Sequence, residues 1–146
     1  MIPYWPKEGV KQLESLNPYK RVEAETMAWG LGVKTEKFKD GGLYVTKIDD
    51  GDSIIVRGVD FGISGAKKFT ASIMPFNNGG GNIEIHLDGS HGPLVGILKV
   101  KPGSEKKYKN ISCPVKGAMG VHDLFFIFRG NEKKDLFDFD YWKFDR

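Results

Sequence analysis

Three carboxylates are placed where they could bind a metal ion. Glu23 and Glu25 are two residues apart in Arg-Val-Glu-Ala-Glu-Thr, so a strand would direct both side chains to the same face. Asp140 lies in the last predicted strand, and the first and last strands of a β-sandwich are often neighbours. Three carboxylates that meet with backbone carbonyls suit Ca²⁺, which prefers about six to eight oxygen ligands. The alternative is a pair of solvated glutamates on an edge strand.

The other titratable residues do not form a catalytic pattern. Glu84 and Asp88 lie on the polar face of one predicted strand, spaced like ordinary surface residues. A glycosidase needs two carboxyl groups facing each other across a cleft, about 5 to 10 Å apart. The histidines lack the spacing of metal ligands and are expected on the surface and in turns: His86, His91 and His122. The sequence therefore predicts a protein that binds something and does not catalyse a reaction.

Two short motifs imitate ligand-binding loops. The run Asn78-Gly-Gly-Gly-Asn82 has the glycines of a phosphate loop, but neither Gly-Lys-Ser/Thr nor a helical pattern follows it. We interpret it as a flexible hairpin turn. Asp49-Asp-Gly-Asp52 lacks the ligand spacing and terminal Glu of a calcium loop and is also interpreted as a turn.

Cys113 is the single cysteine, so no internal disulfide can form, and its apolar segment predicts a buried, inert thiol.

The elements that must position these residues are β-strands. The chain of 146 residues has 19 glycines and 7 prolines, and turn signals recur along it. Period-two alternation is clear at 69–73 and 83–88. About nine short strands predict an all-β sandwich of two sheets, with an open barrel as the lesser alternative. The predicted strands cover 21–27, 43–48, 53–59, 67–74, 82–88, 94–101, 107–113, 121–129 and 135–144.

Residues 120–144 contain a strong aromatic pattern. Two aromatic-rich segments flank a charged turn at 131–134, which is typical of a hairpin. Alternation in the second segment gives two faces, with Phe137, Phe139 and Tyr141 on one and Asp138, Asp140 and Trp142 on the other. The first face is expected to be buried, and Trp142 is also expected in the core.

The first residues differ from those that follow. Prolines interrupt residues 1–19, which we interpret as an extended linker on the surface of one domain, residues 20–146. The alternative is a docking strap whose Tyr4 and Trp5 pack against an upstream domain.

The net charge of +3 is small and evenly spread, so we expect no nucleic-acid partner. No signal peptide or membrane span is visible, so we expect no membrane partner.

Several phrases together resemble the family 6 carbohydrate-binding modules that are attached to plant-cell-wall hydrolases. They cover residues 20 to 144 in order: Arg-Val-Glu-Ala-Glu-Thr (21–26), Ile-Asp-Asp-Gly-Asp (48–52), Val-Asp-Phe-Gly (59–62), Gly-Asn-Ile-Glu-Ile-His-Leu-Asp (81–88), Gly-Val-His-Asp-Leu-Phe-Phe-Ile-Phe (120–128) and Leu-Phe-Asp-Phe-Asp-Tyr-Trp-Lys-Phe (136–144). Residues 9–19 look like the junction that follows a family 43 glycoside hydrolase in arabinofuranosidases and xylan-degrading enzymes.

The resemblance implies a jelly-roll β-sandwich of two antiparallel sheets, a secreted parent protein with an upstream glycoside hydrolase domain, and a ligand of the xylan or arabinoxylan type. It also implies a structural Ca²⁺ bound by Glu23, Glu25 and Asp140. We expect the module to be a monomer without catalytic activity.

The resemblance further implies a sugar cleft in the loops, where a Tyr and a Trp clamp a ring and an Asn binds its hydroxyls. This sequence departs from that pattern at Lys47, Glu105 and Asp138, respectively. Two lost stacking faces would cost about 2 to 4 kcal/mol, or roughly 30- to 1000-fold in affinity. The cleft is then silent, or the three residues form a charged rim for a decorated sugar, or they pair with one another as a polar cap.

Other positions could contribute to sugar binding. On the concave sheet face, where some family members carry a Trp, this chain has Ser53, which weakens that site. The remaining aromatic candidates are Trp29, Tyr44 and Phe76, and Trp29 is preferred. The leading hypothesis is a non-catalytic module that targets its hydrolase to xylan or arabinoxylan and binds weakly. The alternative is a structural companion domain that packs against the catalytic domain and binds no glycan.

Overall fold

Eleven β-strands account for most of the described part of the chain, which comprises residues 15–27, 29–39, 42–77, 79–130 and 134–146 of a computed structural model. The strands are Val22–Glu23 (β1), Trp29–Leu31 (β2), Lys34–Lys37 (β3), Leu43–Thr46 (β4), Ser53–Asp60 (β5), Ala66–Pro75 (β6), Gly81–Leu87 (β7), Leu94–Val100 (β8), Lys109–Ala118 (β9), Val121–Arg129 (β10) and Phe137–Asp145 (β11). These residues contain no helix, and hence none that could cross a membrane.

The strands form a jelly-roll β-sandwich of two antiparallel sheets, as predicted. The six-stranded sheet has the order β3-β4-β11-β6-β9, with β1 also paired to β11. The five-stranded sheet has the order β2-β5-β10-β7-β8. The expectation that the first and last strands are neighbours is confirmed, because Val22 of β1 lies opposite Trp142 of β11.

The core between the sheets is rich in aromatic side chains. Phe126 of the five-stranded sheet meets Trp142 of the six-stranded sheet edge to face, with ring centroids 5.4 Å apart and planes at 72°. Phe69 and Phe144 complete this cluster, and all four side chains are fully buried. Each buried side chain of this size stabilises the fold by about 1.5 to 3 kcal/mol. This core holds the two sheets together, so the loops at their ends are free to carry function.

A β-bulge at Asp140 changes which side chains of β11 face the core. The register between β11 and β6 shifts between Phe139 and Tyr141, so Asp140 is an extra residue without a partner on β6. One extra residue reverses the period-two alternation beyond it. Trp142 is therefore fully buried, as expected, whereas Tyr141 is only partly buried. The prediction that Tyr141 shares a core face with Phe139 is wrong for this reason.

The predicted strands all occur, but the sequence analysis missed two further strands and misjudged the connection between β10 and β11. β2 and β3 were not predicted, and all four residues of β3 are exposed, so its sequence shows no alternation between buried and exposed positions. The prediction of a hairpin at 120–144 is wrong, because β10 and β11 lie in different sheets. Both strands bury an aromatic face, but they bury these faces against each other across the core.

Residues 15–19 lie along the edge of the five-stranded sheet. Leu16 forms a parallel bridge with Val59, and its carbonyl oxygen accepts a hydrogen bond of 3.0 Å from the N–H of Asp60. The chain therefore joins the sandwich beside the end of β5. The first fourteen residues of the predicted linker, including both aromatic residues of the alternative strap, lie outside the described residues.

Candidate functional site

Two adjoining grooves lie at one end of the sandwich and share Phe76 and Asn77. Each has a volume of about 490 Å³. One is also lined by Thr46, Lys47, Lys134 and Asp135, and the other by Met74, Pro75 and residues 103–106. Phe76 and Asn77 directly follow β6, so the end of a central strand places them between the two grooves. We call this pair of grooves the end groove.

Phe76 offers a partly exposed aromatic ring on a well-fixed backbone. Its carbonyl oxygen accepts hydrogen bonds from the N–H groups of Gly79 at 3.0 Å and Gly103 at 3.1 Å. The side chain of Asn77 is exposed beside it. An aromatic ring can remove the apolar C–H face of a sugar from water, and a neighbouring amide can bond the sugar hydroxyls. The end groove therefore has the chemistry of a small carbohydrate site.

Asp138 lies behind the wall of the end groove and does not line it. Its carboxylate accepts a hydrogen bond of 2.6 Å from the Thr46 hydroxyl, and the residue is 4% exposed. Burial raises the pKa of Asp138, and the charges of Glu36 and Asp135 add to this rise. The Thr46 hydrogen bond and the charge of Lys47 oppose it. Asp138 is therefore committed to Thr46 and is withdrawn from the groove.

Glu105 lines the other half of the end groove, but its charge is engaged locally. Its carboxylate lies 3.4 Å from the ammonium group of Lys107 and 3.5 Å from that of Lys109. These charges and hydrogen bonds lower the pKa of Glu105. Among the described contacts, Glu105 pairs with lysines of its own segment and not with Lys47. The structure therefore does not show the polar cap in which Lys47, Glu105 and Asp138 would pair with one another.

Two of the predicted sugar contacts, Tyr44 and Trp29, are not among the described residues that line the end groove. Tyr44 packs against Phe38, with ring centroids 4.7 Å apart, and its hydroxyl donates a hydrogen bond of 3.2 Å to Glu36. It is not among the residues that line the end groove. The backbone of Trp29 lies opposite Ile55 in the five-stranded sheet, whereas its side chain lies outside the described residues. The structure thus groups Lys47, Glu105 and Phe76 and leaves Tyr44 apart.

Thr46 and Asn77 were not singled out in the sequence. The available signal for Asn77 was the segment Met74-Pro-Phe-Asn-Asn78, in which an aromatic residue and amides follow a strand directly. Thr46 gave no signal, because its role depends on a long-range partner, Asp138.

The residues considered for catalysis take part in other contacts. Glu84 lies 3.1 Å from the Nε2 atom of His86, and Asp88 lies 2.7 Å from the Nδ1 atom of His122. Among the described contacts, the two carboxylates do not face each other across a groove. Cys113 is buried as predicted, and burial raises the pKa of its thiol, which disfavours the reactive thiolate.

The predicted metal ligands lie together where β1 meets the bulge of β11. The N–H of Ala24 donates a hydrogen bond of 2.8 Å to the carbonyl oxygen of Asp140. Burial raises the pKa of Glu25, and the charges of Glu23 and Asp140 add to this rise. Burial and the charge of Glu23 likewise raise the pKa of Asp140. Three mutually repelling carboxylates therefore share this corner of the molecule.

These residues fit a hard cation in charge and in ligand type. The Oε1 atom of Glu25 is buried and lacks a hydrogen-bond partner among the described residues. One positive charge already lies beside these carboxylates, because the guanidinium of Arg21 is 2.6 Å from Glu23 and 3.8 Å from Asp140. In the described ranges, no three side chains of the ligating types form a complete metal cluster. The calcium site therefore stays a prediction.

Comparison with known proteins gives a consistent result. The family model described as carbohydrate binding module (family 6) matches residues 23–146. The chain is 45% identical over 142 residues to an arabinoxylan arabinofuranohydrolase of Bacillus subtilis, an alignment that covers 93% of this chain and 27% of that protein. A second arabinoxylan arabinofuranohydrolase, from Paenibacillus polymyxa, is 44% identical over 142 residues, which are 93% of this chain and 22% of that protein. The chain thus spans about a quarter of the length of these relatives.

Solved structures show the same architecture. A family 6 carbohydrate-binding module of Clostridium cellulolyticum, solved in complex with xylose, superposes with a TM-score of 0.82 at 34% identity, over 90% of this chain and 100% of that one. The family 43 arabinoxylan arabinofuranohydrolase of Bacillus subtilis, solved in complex with cellotetraose, gives a TM-score of 0.86 at 44% identity, over 94% of this chain and 29% of that one.

Proposed function

Because the chain belongs to carbohydrate-binding module family 6, we propose that it binds xylan or arabinoxylan and targets a family 43 glycoside hydrolase domain of the same polypeptide to that polymer. The family relationship confirms the prediction of a binding module without catalytic activity. The choice of polymer is supported by the relatives, which are named for action on arabinoxylan, and by the related module solved with xylose.

The observation that carries the proposal is the position of Phe76 and Asn77 in the end groove. Phe76 supplies one aromatic face for a sugar ring, and the exposed amide beside it supplies hydrogen bonds. Neither face of the usual clamp is present, since Lys47 and Glu105 stand at its two positions, and Phe76 supplies a single face from another position. We therefore propose weak binding, because each missing face removes about 1 to 2 kcal/mol of apolar burial.

Affinity electrophoresis tests this function directly. The chain should be retarded in gels that contain soluble arabinoxylan or xylan, and its Phe76→Ala variant should be retarded less. Phe38→Ala serves as a matched control, because Phe38 is also a partly buried aromatic residue but does not line the end groove. Migration that no polysaccharide retards would reject the binding function.

A second candidate function is that of a companion domain that packs against the catalytic domain. Three exposed apolar side chains support it: Ile63 at 97% exposure, Met119 at 55% and Val121 at 56%. Ile63 and Met119 lie in two loops joined by a hydrogen bond of 2.9 Å from the N–H of Gly120 to the carbonyl oxygen of Gly62, and Val121 begins β10 beside them. The patch follows the end of β5, beside which the chain joins the sandwich. A domain that precedes this point in the polypeptide would be well placed to cover the patch.

This second function has its own test. The chain is fused to the catalytic domain of the Bacillus subtilis relative, and the melting temperature of that domain is recorded. Packing predicts that Ile63→Ser lowers this temperature, whereas Leu94→Ser, a change at another exposed apolar residue, leaves it unchanged. A catalytic domain that melts at the same temperature with and without the module would reject the companion function.

Three further properties accompany the proposed function. Glu23, Glu25 and Asp140 would hold a structural Ca²⁺, whose charge would offset the repulsion among the carboxylates. The parent protein would be secreted, because its polymeric substrate lies outside the cell. The module would be a monomer, which sedimentation analysis can check.

A further inference from the structure

A third groove adjoins the end groove and is strongly basic. It lies where β7 begins and where β8 and β10 end, has a volume of about 600 Å³ and shares Asn77 with the end groove. Its lining contains the cations Lys99, Lys101 and Arg129. Among the described residues, no carboxylate lines it. A groove that needed only to bind neutral sugars would gain little from three positive charges.

Strand register places two of these cations on either side of an amide. Arg129 of β10 lies opposite Asn82 of β7, and Asn82 lies opposite Lys99 of β8. Directly opposed residues on one sheet face have side chains about 5 Å apart. The row Arg129–Asn82–Lys99 therefore presents a guanidinium, an amide and an ammonium group side by side.

The acidic neighbours leave most of this positive charge available. The Nε atom of Arg129 lies 3.8 Å from a carboxylate oxygen of Glu84, whose other oxygen is 3.1 Å from His86. Within the described ranges, Lys99 and Lys101 form no ion pair. Asp50 binds the N–H of Gly130 at 3.1 Å but is not part of the lining.

Three glycines of the groove, Gly79, Gly80 and Gly81, pack closely against neighbouring backbone. A Cβ atom on Gly79 would lie 2.2 Å from the carbonyl oxygen of Leu136, and one on Gly81 would lie 2.0 Å from that of Arg129. The N–H of Gly80 donates a hydrogen bond of 2.7 Å to Leu136. Gly79, Gly80 and Gly81 are therefore closely packed. The run that contains them is not the hairpin turn that the sequence suggested, because β6 and β7 lie in different sheets. Because these glycines have no side chains, a ligand can approach their backbone.

We propose that this groove binds the carboxylate of a uronic acid side group on the polysaccharide held in the end groove. A carboxylate matches the fork of an arginine guanidinium and also accepts hydrogen bonds from an amide and a lysine. Because Asn77 lines both grooves, a main chain in one can direct a side group into the other. The inference rests on the proposed function and adds the acidic substituent to its ligand.

Titration calorimetry with a matched pair of polymers tests the inference. The chain is titrated with a glucuronate-substituted xylan and with the same xylan after chemical reduction of its carboxyl groups, which keeps the sugars and removes the charge. Arg129→Gln and Lys99→Gln should each weaken binding of the acidic polymer by about two- to fivefold. Neither should change binding of the reduced polymer. Added salt should weaken only the acidic interaction.

Lys116→Gln is the control, because Lys116 is an exposed lysine on β9, in the other sheet. An equal loss with this variant would mean that net charge alone attracts the polymer, and would overturn the inference. Equal affinity of the wild-type chain for the two polymers would overturn it as well, while leaving the proposed function intact. A failure to bind either polymer would overturn both. Unchanged melting temperatures show that the variants are folded.

Discussion

Thr46 donates a hydrogen bond of 2.6 Å to the carboxylate of Asp138. Thr46 lines the end groove, whereas Asp138 lies behind it and is almost fully buried. A buried carboxylate loses its hydration, and burial accordingly raises the pKa of Asp138. The buried carboxylate of Asp138 therefore lowers stability at neutral pH, and the hydrogen bond from Thr46 offsets only part of this loss.

Replacement of Asp138 by Asn should stabilise the protein at pH 7 by about 0.5 to 1.5 kcal/mol. The amide is neutral and can still accept the hydrogen bond from Thr46. Because the folded-state pKa of Asp138 is raised, the gain should shrink as the pH falls through that value and the wild-type carboxyl becomes protonated. Chemical denaturation at pH 7 and pH 4 measures both effects.

The control for this prediction is Asp145→Asn, which removes an exposed carboxylate that lies 3.2 Å from Lys143. It should change stability by less than about 0.5 kcal/mol at either pH. Equal stability of wild type and Asp138→Asn at pH 7 would contradict the prediction. Xylan affinity should remain within about twofold in Asp138→Asn, because the side chain does not line the groove.

Truncation of Phe76 should weaken xylan binding by about 5- to 30-fold, which corresponds to about 1 to 2 kcal/mol of lost apolar contact. The melting temperature should change little, since the ring is partly exposed at the end of the sandwich. Calorimetric titration with xylo-oligosaccharides gives the affinity. The measurement would contradict the role of Phe76 if Phe76→Ala and Phe38→Ala bound equally well.

The sequence was sufficient for the fold because alternating residues and turn signals follow directly from local geometry. The phrases of the family also implied a jelly-roll arrangement of two antiparallel sheets. The hairpin at 120–144 was predicted wrongly because an aromatic face can pack within a sheet or across a sandwich, and local pattern does not distinguish the two. The bulge at Asp140 was not foreseen, since an inserted residue leaves no compositional mark.

The candidate site was less predictable, because its residues come together through long-range contacts. Lys47 and Glu105 were identified as members of the cleft, and both line the end groove. The burial of Asp138 depends on Thr46, which is 92 positions away in the chain. The basic row of Arg129, Asn82 and Lys99 depends on the register of three strands, which the sequence does not specify residue by residue.

Calcium should stabilise the protein and reverse the direction in which its stability changes with pH in the acidic range. The folded-state pKa values of Glu25 and Asp140 are raised, so the folded metal-free protein binds protons more tightly than the unfolded chain. Its stability should therefore fall as pH rises from about 4 through the raised values. With calcium at about 100 times its dissociation constant, stability should rise by about 2.7 kcal/mol. This gain should grow with pH, because the metal binds deprotonated carboxylates.

Thermal melting in EDTA and in calcium, between pH 4.5 and pH 7.5, measures this effect. The Glu25→Gln variant should lose most of the calcium response, whereas Glu84→Gln, outside the carboxylate group, should keep it. Identical melting curves in chelator and in calcium would refute the site.

His122 should contribute stability at acidic pH that disappears at alkaline pH. Its Nδ1 atom lies 2.7 Å from Asp88, and its Nε2 atom lies 2.7 Å from the carbonyl oxygen of Met119. Burial opposes the charged ring, but these hydrogen bonds and the charges of Asp88 and Asp123 outweigh it and raise the pKa of His122. The contribution is therefore complete below about pH 6.5 and is lost as pH rises through the raised value.

Proton NMR titration of the imidazole rings gives the pKa of His122, and melting curves of wild type and His122→Gln give the stability difference. The difference should be larger at pH 5.5 than at pH 8.5. His91→Gln is the control, since His91 is exposed and, among the described residues, its ring forms a hydrogen bond only with Ser90, at 3.3 Å. A stability difference that does not vary with pH would show that His122 acts through packing alone.

Two glycines with the same backbone conformation should differ in their tolerance of alanine. Gly80 and Gly51 have φ values of 88° and 91°, and a residue with a Cβ atom pays about 1 to 2 kcal/mol in this region. A Cβ on Gly80 would lie 2.6 Å from the carbonyl oxygen of Val100, whereas a Cβ on Gly51 would have no atom within 4 Å. Gly51→Ala should therefore cost about 1 to 2 kcal/mol, and Gly80→Ala at least about 1 kcal/mol more. Urea denaturation of the two variants measures the difference, and equal losses would show that the glycine turn can move away from β8.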